Sequence, residues 1–164
     1  MAPPTPPTPA DAPDAADGSG LRFALVGARF NEAYVTRMLD AALEVLRRRG
    51  AAPEAIEIFR VPGALELPLA CRWAAETGRF DAVLAFGTVI RGETDHFRLV
   101  ADSSASGIAR VALDTGVPVL NGVLAVFDAE QAAARTGGAF GNRGAEIALA
   151  AIAMARLRRT LGTR

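Results

Sequence analysis

The densest group of reactive side chains in the sequence is the run Gly87-Thr88-Val89-Ile90-Arg91-Gly92-Glu93-Thr94-Asp95-His96. A hydrophobic stretch ends there in a polar turn and a helix begins. Gly92 permits the turn, and the main-chain N–H groups of Glu93 and Thr94 would lack intrahelical partners at a helix N-terminus, where aligned dipoles favour an anion such as phosphate. His96, the single histidine of the chain, can move protons near neutral pH, or it can simply cap and pack. Val61-Pro62-Gly63-Ala64-Leu65-Glu66 has the same strand-to-helix character. Pro62 sets a turn, Gly63 lets a flat ligand approach the backbone, and Glu66 offers a carboxylate at a helix start. Glu66 also suits a helix start with no further role. Phe30 offers a ring that stacks on a planar ligand or staples the following helix. Arg135 is suited either to gripping phosphate bidentately or to complementing a helix C-terminus.

Composition removes whole classes of chemistry. All eighteen basic residues are Arg, so no lysine exists to form a Schiff base, anchor pyridoxal phosphate or serve a Walker-type phosphate loop. Any imine chemistry must use an amine brought by the substrate. Eighteen acidic residues balance the arginines, which argues against nucleic-acid or anionic-membrane partners. One Cys and one His cannot form a disulfide or the usual zinc site, and no metal is expected. The lone Cys71 and the absence of a signal-peptide pattern or a long apolar run lead us to expect a soluble, cytoplasmic protein.

The elements that must hold these residues follow from periodicity. Continuous apolar runs at 21–27, 56–61, 82–90 and 117–126 read as buried strands. Helices are expected between them: one capped by Asn31 and closed by Gly50, one over 65–76 closed by Gly78, one from His96 to Asp114 with His96 a turn inside it, a short one over 128–135, and one over 143–161. The glycine-rich segment 136–144 reads as a flexible loop. Residues 1–20 contain six of the ten prolines and read as a disordered tail ahead of a single domain over 21–164, serving as a spacer or as an arm on a neighbouring subunit. Strands alternating with helices predict an α/β fold with a four-stranded parallel sheet between two helical layers. Such sheets bind ligands beyond the carboxyl ends of their strands. That rule selects 28–31, 61–66, 87–96 and 121–128.

Five segments, Arg29-Phe30-Asn31, Val61 through Pro68, Gly87 through Phe97, Gln131-Ala132 with Arg135, and Gly141-Asn142-Arg143-Gly144, resemble in order and spacing the 6,7-dimethyl-8-ribityllumazine synthase family. The resemblance implies a flavodoxin-like three-layer α/β/α sandwich. It further implies condensation of 5-amino-6-(D-ribitylamino)uracil with 3,4-dihydroxy-2-butanone 4-phosphate, without cofactor, in riboflavin biosynthesis. Phe30 would then stack on the pyrimidine, Ala64, Leu65 and Glu66 would hold ring and ribityl chain, and Thr88, Val89 and Ile90 would give main-chain contacts to the ring. Glu93 and Thr94 would bind phosphate together with Arg135, and His96 would shuttle the proton. The resemblance also implies sites between neighbouring copies in a pentamer, with Asn121 and Arg135 coming from the adjacent chain. The short 136–143 segment leaves a sixty-subunit shell open. Asn121 stands where the family commonly has Phe, Ala125 where Thr is common, and Arg143 where Lys is frequent. A catalytically weak binding or cage-forming shell protein of the same fold is the alternative.

Overall fold

A computed structural model describes residues 17–162. Four strands, β1 (Phe23–Ala28), β2 (Ile56–Val61), β3 (Ala82–Ile90) and β4 (Val119–Val126), form one parallel sheet in the order β2-β1-β3-β4. Five helices connect and cover them: α1 (Glu32–Arg48), α2 (Leu67–Glu76), α3 (His96–Thr115), α4 (Ala129–Arg135) and α5 (Arg143–Thr160). This is the flavodoxin-like sandwich expected from sequence.

Alternation along the central strands divides the core in two. Phe23, Leu25, Leu84 and Phe86 point toward α1 and α5, where they meet Val35, Met38, Leu46, Ala148 and Ile152. Ala24, Val26, Val83 and Ala85 face α2 and α3, where Leu67, Cys71, Phe97 and Ile108 cover them. Both faces of β1 and β3 are therefore dry, which explains their unbroken apolar runs. The outer strands differ from the expectation of burial. β2 leaves Ile58 and Phe59 exposed and β4 is only partly covered, because each lies at a sheet edge with one side unpaired.

Four local expectations are corrected. The glycine-rich segment is a hairpin, β5 (Thr136–Gly138) with β6 (Gly141–Asn142), held to α4 by the Phe140 N–H donating to the Ala134 carbonyl. Sequence reading saw its glycines as slack, but positive φ at Gly137 and Gly141 makes the tight reversal. α2 begins at Leu67, preceded by a 3-10 turn at Ala64–Glu66, so Glu66 precedes the helix. His96 is the first residue of α3, with no turn of helix before it. Asn31 does not cap α1 through its side chain; it adopts the left-handed conformation, φ 54°, and its amide is used elsewhere.

The expected tail falls mostly outside the described residues. Asp17 to Gly20, counted with it, are bound to the domain: Arg156 donates to the carbonyls of Asp17 and Ser19, Arg159 donates to that of Gly20, and the Gly18 N–H donates to Arg49. Arg159 also forks onto Asp81, whose carboxylate accepts the Arg22 N–H. Among the described residues, no helix is long and apolar enough to cross a membrane.

α1 and α5 meet through Gly144, where an added Cβ would overlap the Met38 carbonyl oxygen. Gly144→Ala must push the helices apart at about 1–3 kcal/mol, a loss of about 2–4 °C in Tm per kcal/mol at this size, checked by thermal unfolding. Cys71 is fully buried, and loss of hydration pushes its thiol up to about 12. At pH 8 a thiol-specific disulfide reagent should leave the native protein unmodified and label it on unfolding; rapid labelling of the folded chain contradicts the burial.

Candidate active site

β3 runs further than β1. On the β1 side its pairing ends at Phe86, opposite Gly27, while on the β4 side it continues to Ile90, opposite Val126. The free tip of β3 and the turns after β1 and β2 enclose a cavity of about 390 Å³. Its wall comprises Ala28 and Phe30 after β1, Gly63 to Glu66 after β2, Thr88 to Ile90 on β3, and Gly92, Thr94, His96, Phe97 and Val100 at the start of α3. Nine of the twelve residues singled out from sequence thus stand on one wall: Phe30, Ala64, Leu65, Glu66, Thr88, Val89, Ile90, Thr94 and His96.

Each turn is held by main-chain bonds. The Arg29 and Phe30 N–H groups donate to the carbonyls of Val61 and Pro62, at 2.8 and 3.0 Å, which fastens the turn after β1 to the end of β2. Phe30 therefore projects its ring at the rim, 73% exposed, with a face free for a planar partner. Glu66 closes the 3-10 turn, its N–H donating to the Gly63 carbonyl at 3.2 Å. Its carboxylate lies 3.2 Å from where a Cβ on residue 63 would stand, so glycine there leaves that oxygen room.

The loop 91–95 carries the cavity into α3. The Thr94 hydroxyl accepts the His96 N–H at 3.4 Å, and Phe97 turns inward. A twenty-residue helix thus points its N-terminus at the cavity with His96 at its first position, a placement that attracts an anion. Thr88 carries a buried hydroxyl with no hydrogen-bond partner among the described residues, while its carbonyl accepts from Asn31 Nδ2 at 2.8 Å.

Glu93, Asn121 and Arg135 do not line this cavity. Glu93 is exposed between two residues that do. Asn121 lies on the edge strand β4, where its Oδ1 accepts the Val123 N–H at 2.9 Å. Arg135, at the end of α4, donates through Nη1 to the Gln131 carbonyl and lies over the Phe140 ring, 5.0 Å from its centroid. Both are half-buried and lie off the cavity wall. Sequence reasoning missed Phe97 and Val100, which line the cavity from the start of α3; the signal was their i, i+3 spacing on the helix that starts at His96. No group of three or more His, Cys, Asp or Glu able to hold a metal occurs among the described residues.

The sequence is similar to those of known proteins. The family model for 6,7-dimethyl-8-ribityllumazine synthase matches residues 20–159. Proteins of that name are similar to this chain: one from Halorhodospira halophila is 51% identical over 140 residues, covering 85% of this chain and 90% of the relative. One from Paraburkholderia phymatum is 49% identical over 141 residues, covering 86% and 80%, and one from Azoarcus sp. is 46% identical over 145 residues, covering 88% and 90%. With the cavity formed by the matched segments themselves, the chain belongs to the 6,7-dimethyl-8-ribityllumazine synthase family.

Proposed function

We propose that the protein condenses 5-amino-6-(D-ribitylamino)uracil with 3,4-dihydroxy-2-butanone 4-phosphate to 6,7-dimethyl-8-(D-ribityl)lumazine, releasing phosphate and water. The observation that carries this reading is the single cavity uniting Phe30, Ala64 to Glu66, Thr88 to Ile90, Thr94 and His96. Phe30 stacks on the pyrimidine, whose polar edge meets the main chain of the β3 tip; the ribityl chain runs along the 3-10 turn toward Glu66. The ketose phosphate is held by the N-terminus of α3, with Glu93 and Thr94 contributing from the loop before it.

The nucleophile is the pyrimidine's own amine, which attacks the ketone carbon. Loss of water gives the imine, elimination of phosphate leaves an enol that tautomerises to a ketone, and attack on that carbonyl by the pyrimidine's ribityl-bearing nitrogen, with loss of a second water, closes the lumazine ring. His96, at the helix start beside the phosphate, carries the protons these steps exchange. Chain groups alone suffice for positioning and proton transfer, so the absence of lysine from the chain does not obstruct the chemistry.

The site is completed by a second copy. Arg135 is held half-buried at the end of α4 with guanidinium donors to spare, and from a neighbouring chain it supplies the bidentate grip on phosphate. Asn121 comes to the pyrimidine in the same way from the β4 edge, its Oδ1 already accepting the Val123 N–H. Exposed Ile58 and Phe59 on the edge strand, with Leu65, Leu69 and Trp73 on the face of α2 and the turn before it, give such a neighbour an apolar surface. We take the assembly to be a pentamer. A catalytically weak shell protein is not favoured, because a shell has no use for Glu66 and His96 on the wall of one cavity.

Purified, chelator-treated protein should form lumazine from the two substrates, followed by product absorbance; a folded protein that makes none contradicts the reading. Arg135→Ala should lose more activity than His96→Ala. The first removes a charge-assisted contact of about 1.5–3 kcal/mol and misplaces the whole ketose phosphate. The second removes a proton carrier whose loss costs about a hundredfold at most here, since water substitutes for it beside a good amine nucleophile. Steady-state kinetics with equal or reversed losses would overturn this division of roles.

A further inference from the structure

Asn31 is the single non-glycine residue with positive φ among the described residues, and it sits at the corner where β1 passes into α1. Asparagine tolerates that conformation better than most side chains, but glycine would tolerate it better still. The side chain therefore has another use. Its Nδ2 donates to the Thr88 carbonyl at 2.8 Å, across 57 residues of sequence, in a partly buried contact. Pairing of β3 with β1 stops at Phe86. The amide thus takes the place of the next strand residue for a carbonyl that β1 no longer reaches.

The neighbouring bonds give this contact its consequence. Arg29 and Phe30 N–H groups tie the same turn to Val61 and Pro62, so the turn is sewn to the end of β2 by main chain and to the tip of β3 by one side chain. The cavity lies between those two ends. Phe30, one residue before Asn31, and Thr88 to Ile90 both line it, and the Asn31 amide ties these two parts of the wall together.

We propose that Asn31 is a positioning residue for the pyrimidine half of the site: its amide sets the separation and orientation of the Phe30 ring relative to the main chain of 88–90. This rests on the condensation reading above. The phosphate half, built from the loop before α3, has no bond to Asn31 and is independent of it.

Three variants separate side chain from backbone. Asn31→Gly keeps the left-handed turn and removes the amide. It should raise the pyrimidine KM roughly three- to tenfold, the loss of one partly buried hydrogen bond. The kcat and the KM for the ketose phosphate should stay within about twofold on the same scale. Asn31→Asp keeps size and turn preference but sets a carboxylate against the Thr88 carbonyl, and should raise the pyrimidine KM further. Asn31→Ala, lacking both features, should be no better than Asn31→Gly. A glycine variant with wild-type pyrimidine KM, or one in which both substrates weaken equally, overturns the proposal. Titration calorimetry with the pyrimidine alone keeps the two readings apart, since it needs no turnover. Inactive wild type that binds pyrimidine more tightly than Asn31→Gly contradicts the reaction and sustains the role of Asn31. Equal affinity, or no binding by either, overturns that role.

Discussion

The structure depends on one mismatch of strand length. In a parallel sheet every strand presents its carboxyl end at the same edge, and the inner strands are covered on both faces, so the edge is the one place where the core opens. Here β3 outruns β1, with Gly87 to Ile90 paired only to β4. The unpaired side of that tip is a row of main-chain polar groups beside a void. Such groups must find partners: the Thr88 carbonyl accepts from the Asn31 side-chain amide and, on the proposed reading, the edge of a pyrimidine meets others.

The opposite end of the sheet is built for closure. Arg156 and Arg159 tie Asp17 to Gly20 to the end of α5, and Asp81 joins Arg159 to the Arg22 main chain. Those polar groups find their partners within one chain. At the carboxyl end Phe30, Glu66 and His96 instead line the cavity, and Arg135 and Asn121, each holding a bond within its own chain, lie off it. A molecule that closes one end of its sheet and lines a cavity at the other has its function at the cavity.

Much of this was legible in the sequence, and the physical reason is continuity. The apolar runs match β2 and β3 to the residue and β1 and β4 to within two residues, and β1 and β3, buried on both faces, read as nearly unbroken apolar stretches. Glycines at 50, 78 and 116 stopped their helices where the left-handed conformation was needed. The strand-end rule then selected the cavity before any motif was weighed. What failed was whatever depends on partners distant in sequence. Asn31 has the composition of a cap, yet its amide bonds Thr88, which no local pattern reveals. The hairpin at 136–142 was read as slack because glycine signals permission without saying which turn will use it. Edge exposure of β2 was hidden too, since a strand's place in the order is a property of the sheet.

On the proposed reading a working site needs the cavity of one copy and Arg135 of the next. Complementation tests it most directly. A Phe30→Ala, His96→Ala double variant keeps Arg135 but spoils the cavity, and Arg135→Ala does the reverse. Each alone should be nearly inactive. Refolded together at equal concentration, random mixing regenerates about a quarter of the sites across subunit boundaries, so lumazine formation should return to about that fraction of the wild-type rate. Activity of the mixture no higher than the average of the separately refolded variants would contradict the shared site and place Arg135 with the cavity of its own chain.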